Sequence, residues 1–330
     1  MRTIRRTMLY IVLTLTALAL TACSNTNTTQ ESGTEASVAG TKGEPATRVV
    51  KDAFGEVTIP VEPKNMLVLS PSYAENMIEI GVIPNAVTLV KEIEPEYRPK
   101  LFNEHQVKMI QVEQYEDNFE LLIEESPDLI IAQGAAIDAK KYEALSKIAP
   151  TVAVDAGITI EEYVPALGKL FGKEKEAELA LQKYIDKIGD TKQKLHNSIG
   201  DAKILVIRVE QKQYRVLGQE KDSPGSDMLY HKLGLNIPTK LKDNHDWFTP
   251  ISLEVLPELD ADYIFVEQRQ MQNYSSEQSM KDLESSPLWQ GMNAVKKGQV
   301  YPLKTADFVD GEGLVGYPLF MDYLVEKLVK

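Results

Sequence analysis

The chain has 330 residues, of which 49 are acidic and 36 basic, for a formal charge of −13 at neutral pH. So acidic a composition argues against nucleic acid as a partner and against direct electrostatic adhesion to anionic lipid. The single cysteine, Cys23, excludes an intrachain disulfide and a cysteine metal cluster.

Arg2, Arg5 and Arg6 precede the apolar run MLYIVLTLTALALTA, which predicts an export signal over residues 1–22, too short and wrongly flanked for a permanent spanning helix. The run ends in Leu20-Thr21-Ala22-Cys23, which resembles the bacterial lipobox. That resemblance implies cleavage before Cys23 and acylation of its thiol, each buried CH₂ of the lipid contributing roughly 0.8 kcal/mol to anchoring. Residues 23–47 are small and polar and predict a flexible tether. Loss of the three signal arginines takes the charge from −13 to −16. About 280 residues remain, enough for two domains with cores.

From Arg48 onward, apolar runs alternate with helical patterns, the signature of an α/β fold. NMLVLS is a strand, followed by a helix capped by Ser70 or Ser72 and ending near Gly81. AVTLV, VKMI, DLIIA and TVAVD are further strands, with AKKYEALSKIA a helix between the last two. A long helical pattern then runs from about Lys173 to Ser198, with Ala177, Ala180, Leu181, Tyr184, Ile185, Ile188 and Leu195 near one face. About 26 helical residues span roughly 39 Å, enough for a strut between lobes. Strand and helix alternation restarts with KILVIRVE, YRVLG, the helix GSDMLYHKLGL, YIFVE, VYPL and a terminal amphipathic helix from Gly313. The expected organisation is an N-terminal α/β lobe over 48–165, a linking helix over 166–199 and a C-terminal α/β lobe over 200–330. The fold class is thus α/β, two Rossmann-like lobes on one backbone helix with a ligand cleft between them.

One unit is spelled twice. NFELLIEESPDLIIA (118–132) returns as SLEVLPELDADYIFV (252–266), and in each copy a Glu stands eight residues before an Asp that opens a strand: Glu120 and Asp128, Glu254 and Asp262. Taken alone, each Glu is a first-turn acid favoured by the helix dipole.

The lipobox, tether, twin units, strut and the opening DAFGEVTIPVEPKNMLVLSPS together resemble the helical-backbone (class III) substrate-binding lipoproteins of ABC transporters, over essentially all of residues 48–330. Membership would imply a ferric siderophore, haem or cobalamin as ligand, only slight lobe closure on binding, and lipid anchoring at the extracytoplasmic face. It would also imply a monomeric receptor that docks Glu120 and Glu254 into arginine pockets of a two-fold permease driven by its ATPase. The YRVLG hairpin and the mixture of Arg, Tyr and Trp look closest to the ferric-hydroxamate branch, with catecholate or citrate complexes as alternatives.

Ligands of open α/β lobes bind beyond the strand C-termini. In the first lobe that rule selects Tyr73, Lys91, Gln114, Tyr115 and Gln133. In the second it selects Arg208, Arg215, Trp247, Phe248, Gln268, Arg269, Thr305, Asp307 and Phe308. Arginine offers several donors to chelating oxygens; the bland reading of Arg208 is a strand residue paired with a carboxylate, and of Arg215 a solvated hairpin residue. Of Trp247 and Phe248, one is expected in the core and the other in the cleft. His105, His196, His231 and His245 lack metal-ligand spacing, so no resident metal or cofactor is expected. The chain also lacks a G-x-S-x-G elbow, a P-loop and a G-x-G-x-x-G motif, so no enzyme is expected.

Overall fold

The computed structural model describes residues 46–329 except Tyr115, Asp117, Gln270, Gln272 and Asn273. The export signal, Cys23, nearly all of the tether and Tyr115 therefore lie outside the described residues.

The fold opens with a hairpin of β1 (Thr47–Lys51) and β2 (Glu56–Pro60). Asp52 makes its turn: Oδ1 accepts from the amides of Phe54 and Gly55 at 2.8 and 2.9 Å. Its Oδ2 accepts from Ala153 N at 3.0 Å, which pins the hairpin to the first lobe. That lobe is a βα alternation: β3 (Met66–Val68), α1 (Pro71–Glu79), β4 (Ala86–Leu89), α2 (Tyr97–Glu104), β5 (Lys108–Gln111), α3 (Phe119–Glu124), β6 (Leu129–Gln133), α4 (Ala139–Ser146) and β7 (Thr151–Val154). The sheet is wholly parallel, in the order β5-β4-β3-β6-β7. Strand alternation sorts the core. Leu67 packs with Leu122 of α3 and Leu145 of α4, whereas Met66 and Val68 belong with Tyr73, Met77 and Phe102 of α1 and α2. Of the two candidate caps of α1, Ser70 does the work, its side chain accepting from Tyr73 N.

Two helices leave this lobe. α5 (Ile160–Phe171) starts in a Thr159–Glu162 capping box and stops at Gly172, so the expected boundary at residue 165 falls inside a helix. α6 (Glu174–Ile199) is the strut, 26 residues long. Its buried stripe is Ala177, Tyr184, Thr191 and Leu195. Ile185 does not join it and is 49% exposed, because one residue beyond Tyr184 lies about 100° round the helix.

The second lobe contains β8 (Ile204–Glu210), β9 (Gln213–Leu217), β10 (Phe248–Ile251), β11 (Tyr263–Gln268), the helices α7 (Glu277–Ser285), α8 (Pro287–Gly291) and α9 (Asn293–Lys296), then β12 (Val300–Lys304) and α10 (Gly316–Leu328). Strand order is β10-β9-β8-β11-β12, with β8, β11 and β12 parallel and the β8–β9–β10 edge antiparallel. The stretch expected as an ordinary helix at GSDMLYHKLGL winds as a wide π-type turn over Asp227–Lys232.

The two copies of the repeated unit occupy matching places. In the first, Asp128 accepts from the amides of Lys64 and Asn65 just before β3. In the second, Asp262 accepts from Lys203 N at 2.9 Å just before β8. Each Asp therefore fixes the start of the neighbouring parallel strand. The helical parts differ: α3 is α-helical, but Leu253–Leu259 is a 3-10 helix carrying Pro257, whose missing N–H and bulky ring disfavour an α turn there.

Candidate ligand cleft between the lobes

The parallel strands of the first lobe present their C-terminal ends to the second lobe across a cavity of about 290 Å³. Leu69, Pro71 and Ser72 follow β3; Thr88, Leu89 and Val90 end β4; Ile93, Glu94 and Arg98 follow; Val309, Asp310 and Glu312 close it from the second lobe. A larger hollow of about 700 Å³ lies on the flank, between α2 and the β12–α10 corner. An ion pair between Lys304 and Glu96 spans the two lobes there at 2.6 Å. The smaller cavity is the one the strand ends reach, and it is the candidate cleft.

Its floor is a buried charge network. Arg98, 1% exposed, donates from Nε to Glu75 and from Nη1 to Glu94, both at 2.9 Å. Its Nη2 reaches Ser72 Oγ at 3.4 Å and the carbonyl of Glu312 at 3.3 Å. Glu75, on α1 of the first lobe, accepts from Val315 N and Gly316 N at the start of α10 in the second. A carboxylate there also faces the positive end of the α10 dipole. Asn76 adds a bond from Leu314 N to its Oδ1 at 2.7 Å. The approach demands glycine: a Cβ on Gly313 would sit 1.9 Å from Glu75 Oε1, and one on Gly316 1.9 Å from the carbonyl oxygen of Gly311. On the other side of Glu312, Lys232 bonds Glu161 of α5 and the Tyr184 hydroxyl of the strut.

The second lobe contributes a matching cluster. Arg208 of β8 pairs with fully buried Glu267 and lies 3.6 Å from the Phe248 ring centroid and 5.2 Å from that of Trp247. Thr305 Oγ1 donates to Glu267 Oε1 at 2.8 Å, and Arg269 Nη1 stands 3.9 Å from the same oxygen. Arg208 Nη2 and Arg269 Nη1 are buried without a hydrogen-bond partner among the described residues.

Several expected site residues thus come together, and others do not. Arg208, Trp247 and Phe248 form one group, with both rings at the start of β10 and Arg269 joined to it through Glu267, and none of the four lines the cavity; Trp247 is half-buried and Phe248 is 8% exposed against Arg208. Arg208 is carboxylate-paired, as its bland reading expects, and its Nη2 has no hydrogen-bond partner among the described residues. Gln133 and Gln268 are the last residues of β6 and β11, as the repeat predicts, and both are half-buried. Gln114 lies in the turn after β5, Lys91 is exposed after β4, and Arg215 pairs with Glu210 at 3.1 Å rather than standing solvated. Four expectations are corrected. Tyr73 is 1% exposed, its ring 4.6 Å from that of Tyr163, and Phe308 is 1% exposed against Phe320 and Gly225; both are core residues. Asp307 lines the flank hollow instead of the cleft. Thr305 is 1% exposed and supports Glu267. Glu75, Glu94, Arg98, Asp310 and Glu312 were not selected by the strand-end rule. The only local signal was the Asp-Gly-Glu-Gly turn at 310–313, whose glycines mark a close approach. Among the described residues, no cluster of His, Cys, Asp and Glu has metal-site geometry.

Burial pushes the Asp310 carboxyl up to about 7 against the pull of Arg269, and burial pushes Glu312 up to about 7 against Tyr317, Lys232 and Arg98. The folded protein holds these protons more tightly than the unfolded chain does. The stabilisation they bring is complete below about pH 4 and is lost as pH rises through about 7. Tm should therefore fall between those limits, and less steeply in a D310N/E312Q variant. Parallel profiles from scanning calorimetry would refute this.

A family model for periplasmic binding proteins matches residues 67–306. The chain belongs to that family. It is 34% identical to the iron(3+)-hydroxamate-binding protein FhuD of Bacillus subtilis, covering 94% of each chain. Staphylococcus aureus SirA, solved in complex with staphyloferrin B, is similar at 27% identity and TM-score 0.69, over 85% of this chain and 98% of that one. A FhuD fold-family binding protein of a Fep/Fec-like ferrichrome ABC transporter from Bacillus subtilis matches with TM-score 0.68 and 27% identity, over 85% of this chain and all of the other. The fold is that of these neighbours: two α/β lobes and a connecting helix.

Proposed function

We propose that this chain is the membrane-anchored substrate-binding protein of an ABC importer and captures a ferric siderophore, of the hydroxamate type, for delivery to the permease. The observation that carries the reading is the pair of buried guanidinium nitrogens on Arg208 and Arg269 without partners among the described residues, the Arg208 group lying against the Trp247 and Phe248 rings. A buried donor without an acceptor costs about 1–3 kcal/mol, and the chelating oxygens of a ferric hydroxamate supply acceptors. The likeness to a hydroxamate-binding relative supports the same choice. Ferric citrate is the second reading, favoured by 27% identity over 88% of this chain to the Fe(3+)-citrate-binding protein YfmC of Bacillus subtilis.

In this reading acylated Cys23 holds the receptor at the extracytoplasmic face as a monomer, with no catalytic step. Glu120 and Glu254 seat it on the permease dimer. Both are exposed and stand second in the helical segments that follow β5 and β10. Because β10 runs parallel to β8, both segments start on the cleft side of their lobes.

Tryptophan fluorescence tests the ligand. The chain has two tryptophans; Trp289 is 4% exposed in the core, whereas Trp247 is half-buried beside Arg208. Titration with a ferric hydroxamate should quench fluorescence to a 1:1 end point, and Trp247→Phe should remove most of the quenching. Ferric catecholate, ferric citrate, haem and cobalamin complete the panel. A saturable response to one of these with none to hydroxamates would replace the reading.

A further inference from the structure

We propose that the cleft selects its ferric complex by charge: it takes a complex carrying a protonated amine arm, seated against Asp310, and turns away polyanionic complexes. The proposal rests on the siderophore reading and narrows it. It starts from an imbalance in the buried charges. Glu94, Arg98, Asp310 and Glu312 line the cavity, Glu75 lies behind Arg98, and Glu267, Arg208 and Arg269 form the adjoining cluster. Arg98 is committed to Glu75 and Glu94, Arg208 to Glu267, and Arg269 lies beside Glu267.

Asp310 is the carboxylate left over. It lines the cavity, is half-buried, and makes no hydrogen bond or ion pair among the described residues. Glu312 differs, since its side chain accepts from the Tyr317 hydroxyl at 3.0 Å and has Lys232 nearby. The walls around Asp310 are mixed, with Leu69, Pro71, Val90, Ile93 and Val309 beside Ser72, Thr88, Glu94 and Arg98. A lone carboxylate in such surroundings must take either a proton or a cation.

An ammonium group fits the position better than further anionic oxygens, which Glu94 and Asp310 would repel. The second lobe then addresses two poles of one ligand: the nitrogens of Arg208 and Arg269 that lack partners among the described residues meet the chelate oxygens, and Asp310 meets the amine. The groups facing Asp310 are Glu94 and Arg98 from the first lobe, and Glu267 and Arg269 from the end of β11. With Asp310 partly protonated near neutral pH, seating the amine should expel a proton.

The test uses the full-length protein and one linear ferric trihydroxamate in three forms: with its free terminal amine, N-acetylated, and N-succinylated. Their arms carry positive, zero and negative charge on the same chelate. The expected order of affinity is amine, acetyl, succinyl, with about tenfold per step, the scale of one charge-assisted contact. In Asp310→Asn the amine form should bind about tenfold more weakly and the order should flatten. Calorimetry near pH 7 in two buffers of different ionisation enthalpy should detect proton release with the amine form alone. Equal affinity for all three forms on the native protein, or an undiminished order in D310N, overturns the charge inference while leaving the siderophore reading intact. Failure of every form to bind a folded protein overturns the siderophore reading itself.

Discussion

Replacing both Glu120 and Glu254 by lysine should abolish delivery while leaving capture intact. Both side chains are exposed on separate lobes and neither takes part in an ion pair among the described residues, so the folded receptor loses little. Surface substitutions of this kind usually stay within about 0.5 kcal/mol. On a permease the balance differs. Each exposed pair contributes only about 0–1 kcal/mol, so a single Glu→Ala variant should slow uptake only severalfold. Reversal adds like-charge juxtaposition at two sites, which costs several kcal/mol and should lower uptake by more than about 100-fold. The measurement pairs uptake of a labelled ferric complex with affinity by fluorescence on the same variants. Normal uptake by the double variant would remove the docking role; a matching loss of affinity would place these residues in the cleft instead.

The repeat that pointed to these glutamates shows what was legible in the chain. Strand-helix alternation is local, so β3 to β7 and a strut within one residue of its expected ends at Lys173 and Ser198 could be read from spacing. The repeated Asp was legible as a position but not as a role, because the bonds from Asp128 and Asp262 reach chain segments about 60 residues away. The cleft was least legible. Glu75 meets Gly316 across 241 residues, and Arg98 meets Glu312 across 214. No periodicity records such a pairing. Position after a strand also fails to fix side-chain direction: Tyr73, three residues into α1, turns inward, while Ser72 before it faces the cavity.

Arg98→Ala should be the most destabilising single change in the cleft. The guanidinium is 1% exposed and is the direct ion-pair partner of both Glu75 and Glu94, whose side chains are 0% and 5% exposed. Removing one partner of a buried pair typically costs about 3–5 kcal/mol, because the remaining charge stays buried and uncompensated. For a chain of this size each 1 kcal/mol moves Tm by about 2–4 °C, so a drop near 10 °C is expected. Arg98→Lys should recover only part of it, since an ammonium lacks the planar fork that spans two carboxylates. Burial already raises the Glu94 carboxyl, with Arg98 the opposing pull. Without Arg98 the carboxyl rises further, so the stability of the variant should be better preserved in acid and fall more steeply as pH increases than in the native protein. Adding Glu94→Gln should restore part of the loss at neutral pH and flatten that slope. A Tm within about 2 °C of the native value in Arg98→Ala would show that the Glu75 bonds to the start of α10 hold the lobes together without the arginine.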